Sequence, residues 1–399
     1  MHPVRRYLDN AATGWPKPPE VVAALVRAAV ECGASPGRGG YRSALEATAL
    51  RERARLAVGR LVGDDPRRVV LTPGATHALN VVLHGLLRPG DHVIATAADH
   101  NASLRPLEWL RRRGGVDLTI VPCDGRGLVD PRAVRLAWRP ATRMLVCALV
   151  SNVTGVRQDL AALSAVVRGH DGWLVVDAAQ AAGLEPLVEV ARLADAVAAA
   201  GHKWLQGPAG TGWLWLREGL EPEPLLQGGT GSGSDSLDMP APLVPRLEAG
   251  SADVAALAGL AAGIDWLQRQ GEGKVAAHGR SLAWACTTAL DALPGVRVFG
   301  GDAAAPIVSF TVEGYDPADV AAILEQSSGL EVRSGFHCAA MVHRHLGSAA
   351  GGTVRASFGP FNRPDDVRRL VEAVAPLVRV TPSLPASCDL SEERPPWQT

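Results

Sequence analysis

A lysine just past the end of one apolar run and an aspartate at the end of another offer the most chemistry in this sequence. Lys203 follows Ala196–Ala200 through Gly201-His202 and precedes the turn Gln206-Gly207-Pro208. An ammonium at the end of a buried strand is costly unless it finds a counter-ion or gives up its proton. A lysine that gives it up readily is a nucleophile toward carbonyls. Asp177 closes the run Trp173-Leu174-Val175-Val176, and Gln180 follows shortly after. Such a carboxylate keeps a pyridine nitrogen protonated while such a lysine holds an aldehyde, the pairing a pyridoxal phosphate site needs.

Other residues acquire meaning beside that pair. Gly74-Ala75-Thr76 lies between an apolar run and a helical pattern, where free backbone N–H groups and a hydroxyl make a phosphate cradle. Asp99-His100-Asn101 follows the run Val93–Ala95, and an imidazole there can stack on a flat ring and shuttle protons. Asn152 follows Leu145–Val150 and is placed to hydrogen-bond a cofactor oxygen or to serve as a turn residue before Gly155. Arg355, in Val354-Arg355-Ala356-Ser357, is suited to gripping a carboxylate from a strand.

The segment Arg333-Ser334-Gly335-Phe336-His337-Cys338-Ala339 has three readings. Cys338 is a nucleophile with an imidazole beside it, or a metal ligand with His337, His343 and His345, or an inert buried thiol. Two glycine patterns lead nowhere. Gly229-x-Gly231-x-Gly233 does not join a strand to a helix, and Gly271–Lys274 lacks the hydroxyl residue of a P-loop.

The elements that must position these residues alternate. Apolar runs at Val69–Leu71, Asp91–Ala95, Leu118–Val121, Met144–Val150, Leu174–Asp177, Ala194–Ala200 and Gly212–Leu216 read as strands. Helical patterns at Ala75–Leu87, Arg105–Arg113 and Leu160–Arg168 fall between them. Earlier, Pro19–Ala29 and Ala44–Gly63 read as helices, separated by a Gly, Ser and Pro-rich loop over Cys32–Tyr41. Strands separated by helices imply crossovers and a mostly parallel seven-stranded sheet, an α/β fold whose ligands sit at the strands' carboxyl ends. Beyond the Gly/Ser loop Gln227–Asp235, helices over Ala252–Gln270 and Ala276–Ala292 lead into a smaller C-terminal α/β region. Its strands lie near Val296–Phe299 and Ile307–Val312, and its helices at Pro317–Gln326 and Pro364–Leu377. The expected division is a large domain at 15–250, a small one from 1–14 with 251–379, and a disordered tail at 380–399 rich in proline.

Composition bounds the function. Forty Lys and Arg nearly cancel 41 Asp and Glu, which gives no argument for nucleic acid or an anionic membrane as partner. Arg111-Arg112-Arg113 reads as a solvated helix end. Six cysteines without a C-x-x-C pair argue against a disulfide framework, and no apolar run reaches spanning length. The expected location is the cytoplasm.

Taken together, the stretches LDNAAT, TPGATHALN, DHNAS, VSNVTG, VVDAAQ, GHKWLQGP, EAGS, RSGFHCA and TVRASFG resemble the fold-type I pyridoxal phosphate enzymes of the class V aminotransferase group. Within that group the chain is similar to SufS-like cysteine desulfurases and selenocysteine lyases, over roughly residues 7–378. The resemblance implies that Lys203 anchors the cofactor's aldehyde, Asp177 faces its ring nitrogen, and His100 stacks on the ring. Gln180 and Asn152 would touch the phenolic oxygen. Ala75, Thr76 and His202 would hold the phosphate, with Ser251 reaching in from the second subunit of a homodimer. Arg355, helped by Arg333 or Asn152, would bind the substrate carboxylate, and Cys338 would accept sulfur.

The implied reaction takes L-cysteine to L-alanine, leaving a persulfide for an acceptor protein or small thiol. Selenocysteine cleavage, or a pathway-specific C–S lyase or epimerase, is the alternative on the same scaffold. A fold retained without chemistry is the reading from another class. Four positions depart from the family pattern: Ala200 for a serine, Ser251 for a threonine, Asp253 for an asparagine, and Phe336 for the first histidine of a His-His-Cys run.

Overall fold

The computed structural model describes residues 5–300 and 303–378; the proposed tail at 380–399 lies outside the described residues. In chain order the strands are β1 (Arg6–Tyr7), β2 (Val69–Thr72), β3 (His92–Thr96), β4 (Asp117–Val121), β5 (Thr142–Ala148), β6 (Trp173–Asp177), β7 (Ala196–Ala200) and β8 (Gly212–Leu216). They continue with β9 (Val296–Phe299), β10 (Ile307–Val312), β11 (Leu330–Glu331), β12 (Arg333–Gly335) and β13 (Thr353–Ser357).

Seven strands form one sheet in the order β2-β8-β7-β6-β5-β3-β4. The run β7-β6-β5-β3-β4 is parallel, whereas β8 runs antiparallel to both of its neighbours. The alternation of strands and helices dictates this: crossover helices cover both faces, so β2, β3, β7 and β8 are buried at every position. The parallel run leaves the ends of β3, β5, β6 and β7 along one edge, and the residues flagged for chemistry follow those ends. A second sheet has the order β12-β13-β10-β9 and is antiparallel throughout.

The N-terminal segment belongs to this second region. β1 pairs with β11, the Ser357 N–H donates to the Leu8 carbonyl at 2.7 Å, and Leu8 is fully buried among Val308, Phe310 and Val354. The helices Pro19–Arg27 and Arg42–Val62 instead pack against the helix Val254–Gln270. Some boundaries differ from the sequence pattern. The run expected to pair as far as Val150 stops at Ala148, because Leu149 and Val150 stay buried while their backbone turns toward Asp177 and Arg157. The helix expected from Ala276 begins four residues earlier, at Glu272. Among the described residues no helix is long and apolar enough to cross a membrane.

Candidate active site

A cleft of about 630 Å³ lies at the carboxyl edge of the large sheet. Its floor comes from adjacent strands. Asp177 ends β6, and Lys203 follows β7 across the turn Gly201-His202. Gly201 must lack a side chain, since a Cβ there would stand 2.3 Å from Thr211 Oγ1. One Asp177 oxygen accepts from the Ala179 N–H at 2.9 Å. The Lys203 side chain has no hydrogen bond or ion pair among the described residues, and burial pulls its ammonium down to about 8, against the opposing charge of Asp177. An amine that gives up its proton more readily, near a buried carboxylate, is what the sequence pairing required.

The peptide before Lys203 is held firmly. The His202 carbonyl accepts from the Gly14 N–H at 2.9 Å, the Thr13 hydroxyl at 3.1 Å and the Lys17 ammonium at 2.9 Å. Burial lowers Lys17 to about 8 and His202 to about 4, so the His202 imidazole is neutral near pH 7.

At one end of the cleft, Gly74 caps the helix Ala75–Leu86 without a side-chain cap. The helix therefore offers its first N–H groups, with the Thr76 hydroxyl, to whatever occupies the cleft. A Cβ at Gly74 would meet nothing within 4 Å, whereas one at Gly212 would stand 2.5 Å from Gly74 itself. The glycine at the start of β8 lets the loop drop low enough to leave this space. It suits an anion such as a phosphate.

His100 caps the helix Asn101–Arg113, its Nδ1 accepting from the Ala102 N–H at 2.9 Å. Burial takes this imidazole down to about 4, with Lys203, Arg333 and Arg355 acting in the same direction and Asp177 against. The ring is then neutral and carries its proton on Nε2. Asp99 beneath it is fully buried, one oxygen accepting from Thr96 N–H at 2.7 Å and the other from Ala148 N–H at 2.6 Å. It ties the end of β3 to the end of β5 and so fixes the base of His100.

The opposite wall comes from the second sheet. Arg333 on β12 faces Arg355 on β13 in register, and both line the cleft. Like charges across a strand pair repel. Arg355 is offset by Asp9, which accepts from its Nη2 at 2.7 Å, and by the Asn152 carbonyl, which accepts from Nη1 at 2.9 Å. The Arg355 Nε is buried without a partner, and Arg333 has no carboxylate partner among the described residues. The pair thus has spare donor capacity for one more carboxylate.

Two expected cofactor contacts already have protein partners. The Asn152 amide donates to the His337 carbonyl at 2.6 Å. Gln180 donates to the Ala11 carbonyl at 3.0 Å and accepts from the Trp204 indole at 2.7 Å. Ala75, Thr76, His100, Asn152, Asp177, Gln180, His202, Lys203, Arg333 and Arg355 all line the cleft; Ser251 and Cys338 do not. Ser251 is exposed, ahead of the helix Val254–Gln270.

Cys338 sits beside the cleft on a strained loop. His337 and Cys338 have φ of 50° and 60°, a region costly for residues with side chains. The loop is clamped by the Asn152 bond, by the Asn101 N–H donating to the Cys338 carbonyl at 2.7 Å, and by His337 Nε2 against Thr353. The Cys338 thiol is exposed, unlike the buried thiols of Cys32, Cys123, Cys147 and Cys286, and Arg333 Nη2 lies 3.3 Å from its sulfur. Exposure sets aside the inert reading. No group of three or more metal-ligating side chains converges among the described residues, which leaves the metal reading without support. Asp9, Lys17 and Asp99 were not singled out in the sequence, although LDNAAT and DHNAS contain two of them.

The Aminotransferase class-V family model matches residues 6–370. A probable cysteine desulfurase from Methanothermobacter thermautotrophicus is 34% identical, covering 92% of this chain and 93% of its own. One from Pseudomonas aeruginosa is 36% identical, covering 92% of each chain. Among solved structures, the apo cysteine desulfurase from Thermococcus onnurineus superposes with a TM-score of 0.86 at 33% identity, covering 94% of both chains. CsdA, a cysteine desulfurase from Escherichia coli, gives 0.84 at 32%, also over 94% of both. The chain belongs to the class-V aminotransferase family, among relatives named cysteine desulfurases.

Proposed function

We propose that this chain is a pyridoxal-phosphate-dependent cysteine desulfurase, taking L-cysteine to L-alanine and leaving the sulfur as a persulfide on Cys338. One observation carries the reading: an unpaired amine, a buried carboxylate and two arginines share a cleft, with an exposed thiol touching one of the arginines. Lys203 would hold the cofactor, Asp177 would face its ring nitrogen and His100 its ring. Ala75, Thr76 and His202 would hold its phosphate, joined by Ser251 from a second copy of the chain. Asn152 and Gln180 would flank the phenolic oxygen. When bound, the cofactor supplies an aldehyde for amines and a ring that accepts electrons from a substrate carbon.

The chain's residues do the rest. Arg355 and Arg333 fix the substrate carboxylate, turning Cα toward Lys203. The Lys203 Nζ, whose proton burial makes easier to lose, takes the Cα proton. The Cys338 sulfur attacks the substrate sulfur: an S–S bond forms as the Cβ–S bond breaks, and the carbon keeps that electron pair and then takes a proton. Residues 15–250 would form the cofactor-binding domain, and 1–14 with 251–379 the second. We place the enzyme in the cytoplasm as a homodimer, with a thiol as sulfur acceptor.

The test is product analysis with cofactor, L-cysteine and a reductant. Cys338→Ala should cut alanine formation at least about a hundredfold, and Lys203→Ala about a thousandfold. Unchanged alanine from Cys338→Ala, or pyruvate in its place, would reject the assignment. That Cys338 stands outside the cleft favours a second reading, selenocysteine cleavage, since selenium leaves without attack by a thiol. Equal rates of Cys338→Ala and wild type on selenocysteine, with loss on cysteine, would select it.

A further inference from the structure

Behind His100 lies a second cavity of about 530 Å³, and Cys338 lines this one. Its walls are two helices. Thr76, Asn80 and His84 come at four-residue intervals from Ala75–Leu86, and Arg105 and Trp109 come likewise from Asn101–Arg113. That spacing puts each set on one helix face. His84 and Trp109 close the far end, with ring centroids 5.2 Å apart. At 1.5 Å per residue, Thr76 to His84 gives the groove a length of about 12 Å.

Among its described lining side chains one carries a fixed charge, the guanidinium of Arg105. Glu108 is taken by Arg111 and Arg112, and Arg105 is left exposed without an ion pair or hydrogen bond among the described residues. Thr76, Asn80 and His100 line the cleft as well as the groove, so the two cavities share a wall with Cys338 at their junction.

We propose that this groove is the discharge site for the persulfide: it binds a small thiol carrying a carboxylate, with the carboxylate on Arg105 and the body of the molecule against Trp109. The inference rests on the reading of Cys338 as sulfur carrier. The acceptor thiolate attacks the outer sulfur of the Cys338 persulfide, a new S–S bond forms on the acceptor, and the old S–S bond breaks. Its electron pair returns to the Cys338 sulfur. No net oxidation occurs, and the only proton lost is that of the incoming thiol. Loading would take place from the cleft side and unloading from the groove side, without substrate and acceptor competing for one space. The length between Thr76 and His84 matches that of a small molecule.

The experiment uses the cofactor-loaded full-length enzyme with L-cysteine, and glutathione or dithiothreitol as acceptor. Arg105→Glu should raise the glutathione concentration for half-maximal turnover about tenfold and move that for uncharged dithiothreitol by less than about twofold. Arg105→Lys should stay within about twofold of wild type for both thiols, because the charge remains. Trp109→Ala should weaken glutathione about fivefold. An unmoved glutathione curve in Arg105→Glu, or an equal shift for both thiols, overturns the proposal. The same result holds if glutathione serves wild type no better than dithiothreitol at equal thiolate, as expected were the acceptor a protein. A burst of one alanine per Cys338 before any acceptor is added separates the two readings. Its absence from wild type rejects the persulfide itself, while its presence in Arg105→Glu shows the loading step intact.

Discussion

The two sides of the cleft are built differently. The floor comes from the ends of buried parallel strands, where Asp177 closes β6, Lys203 follows β7 across a short turn and Asp99 ties neighbouring strands together. The opposite wall comes from short strands and a loop with two consecutive left-handed residues, tied by hydrogen bonds to Asn152, Asn101 and Thr353. A cofactor needs a fixed seat, while a thiol that takes sulfur from one cavity and releases it in another, as proposed for Cys338, needs a loop with an alternative conformation. Strain of about 1–3 kcal/mol per left-handed residue keeps such an alternative within reach.

That contrast can be broken or sharpened by measurement. The largest effect should come where the two sides meet a substrate charge. Arg355→Met should raise KM for L-cysteine about a hundredfold, since a bidentate carboxylate grip is lost and Asp9 is left unpaired. A smaller change, in steady-state assays, would move the carboxylate grip to Arg333. Next, cofactor capture by the apoprotein should climb about tenfold per pH unit below 8 and level off above, because only the deprotonated Lys203 amine reacts and its value lies at about 8. A flat profile between pH 6 and 8, read from cofactor absorbance, would mean that the floor does not tune the amine.

Asn152→Ala releases the His337 carbonyl and should loosen the Cys338 loop. Hydrogen exchange at residues 336–339 should rise about fivefold to tenfold, from a bond worth about 1 kcal/mol. Unchanged exchange would make the loop as rigid as the floor. The smallest effect concerns stability. Burial raises the Asp99 carboxyl to about 7 in the folded state, above its ordinary 3.8. The folded protein then holds that proton more tightly than the unfolded chain, so this contribution is full below pH 3.8 and lost as pH rises toward 7. The stability of wild type relative to Asp99→Asn should fall between pH 5 and 7.5, measured as urea midpoints; a rise would show the carboxylate form to be the stabilised one.

What the sequence disclosed follows the same division. The large sheet was readable because its strands are buried on both faces and stand out as apolar runs, and Asp177 and Lys203 follow their ends. β12 was not readable, being three residues long with a glycine. Nor was the left-handed geometry of His337 and Cys338, since neither residue type signals it. The pairing of Arg355 with Asp9 joins residues 346 positions apart, and no local pattern carries such a contact. Asn152 was legible as polar and well placed, but that its amide would turn to the His337 carbonyl depended on a loop whose course was unknown.

The His202 carbonyl, with its three donors from Thr13, Gly14 and Lys17, also bears on how the protein matures. Those donors lie just beyond Leu8, whose carbonyl is anchored by Ser357, 349 residues further along. During synthesis the lysine loop leaves the ribosome long before β13 does. The seat for vitamin B6 is therefore finished only after β13 has been made, and a polypeptide terminated ahead of Thr353 should emerge colourless and stay so.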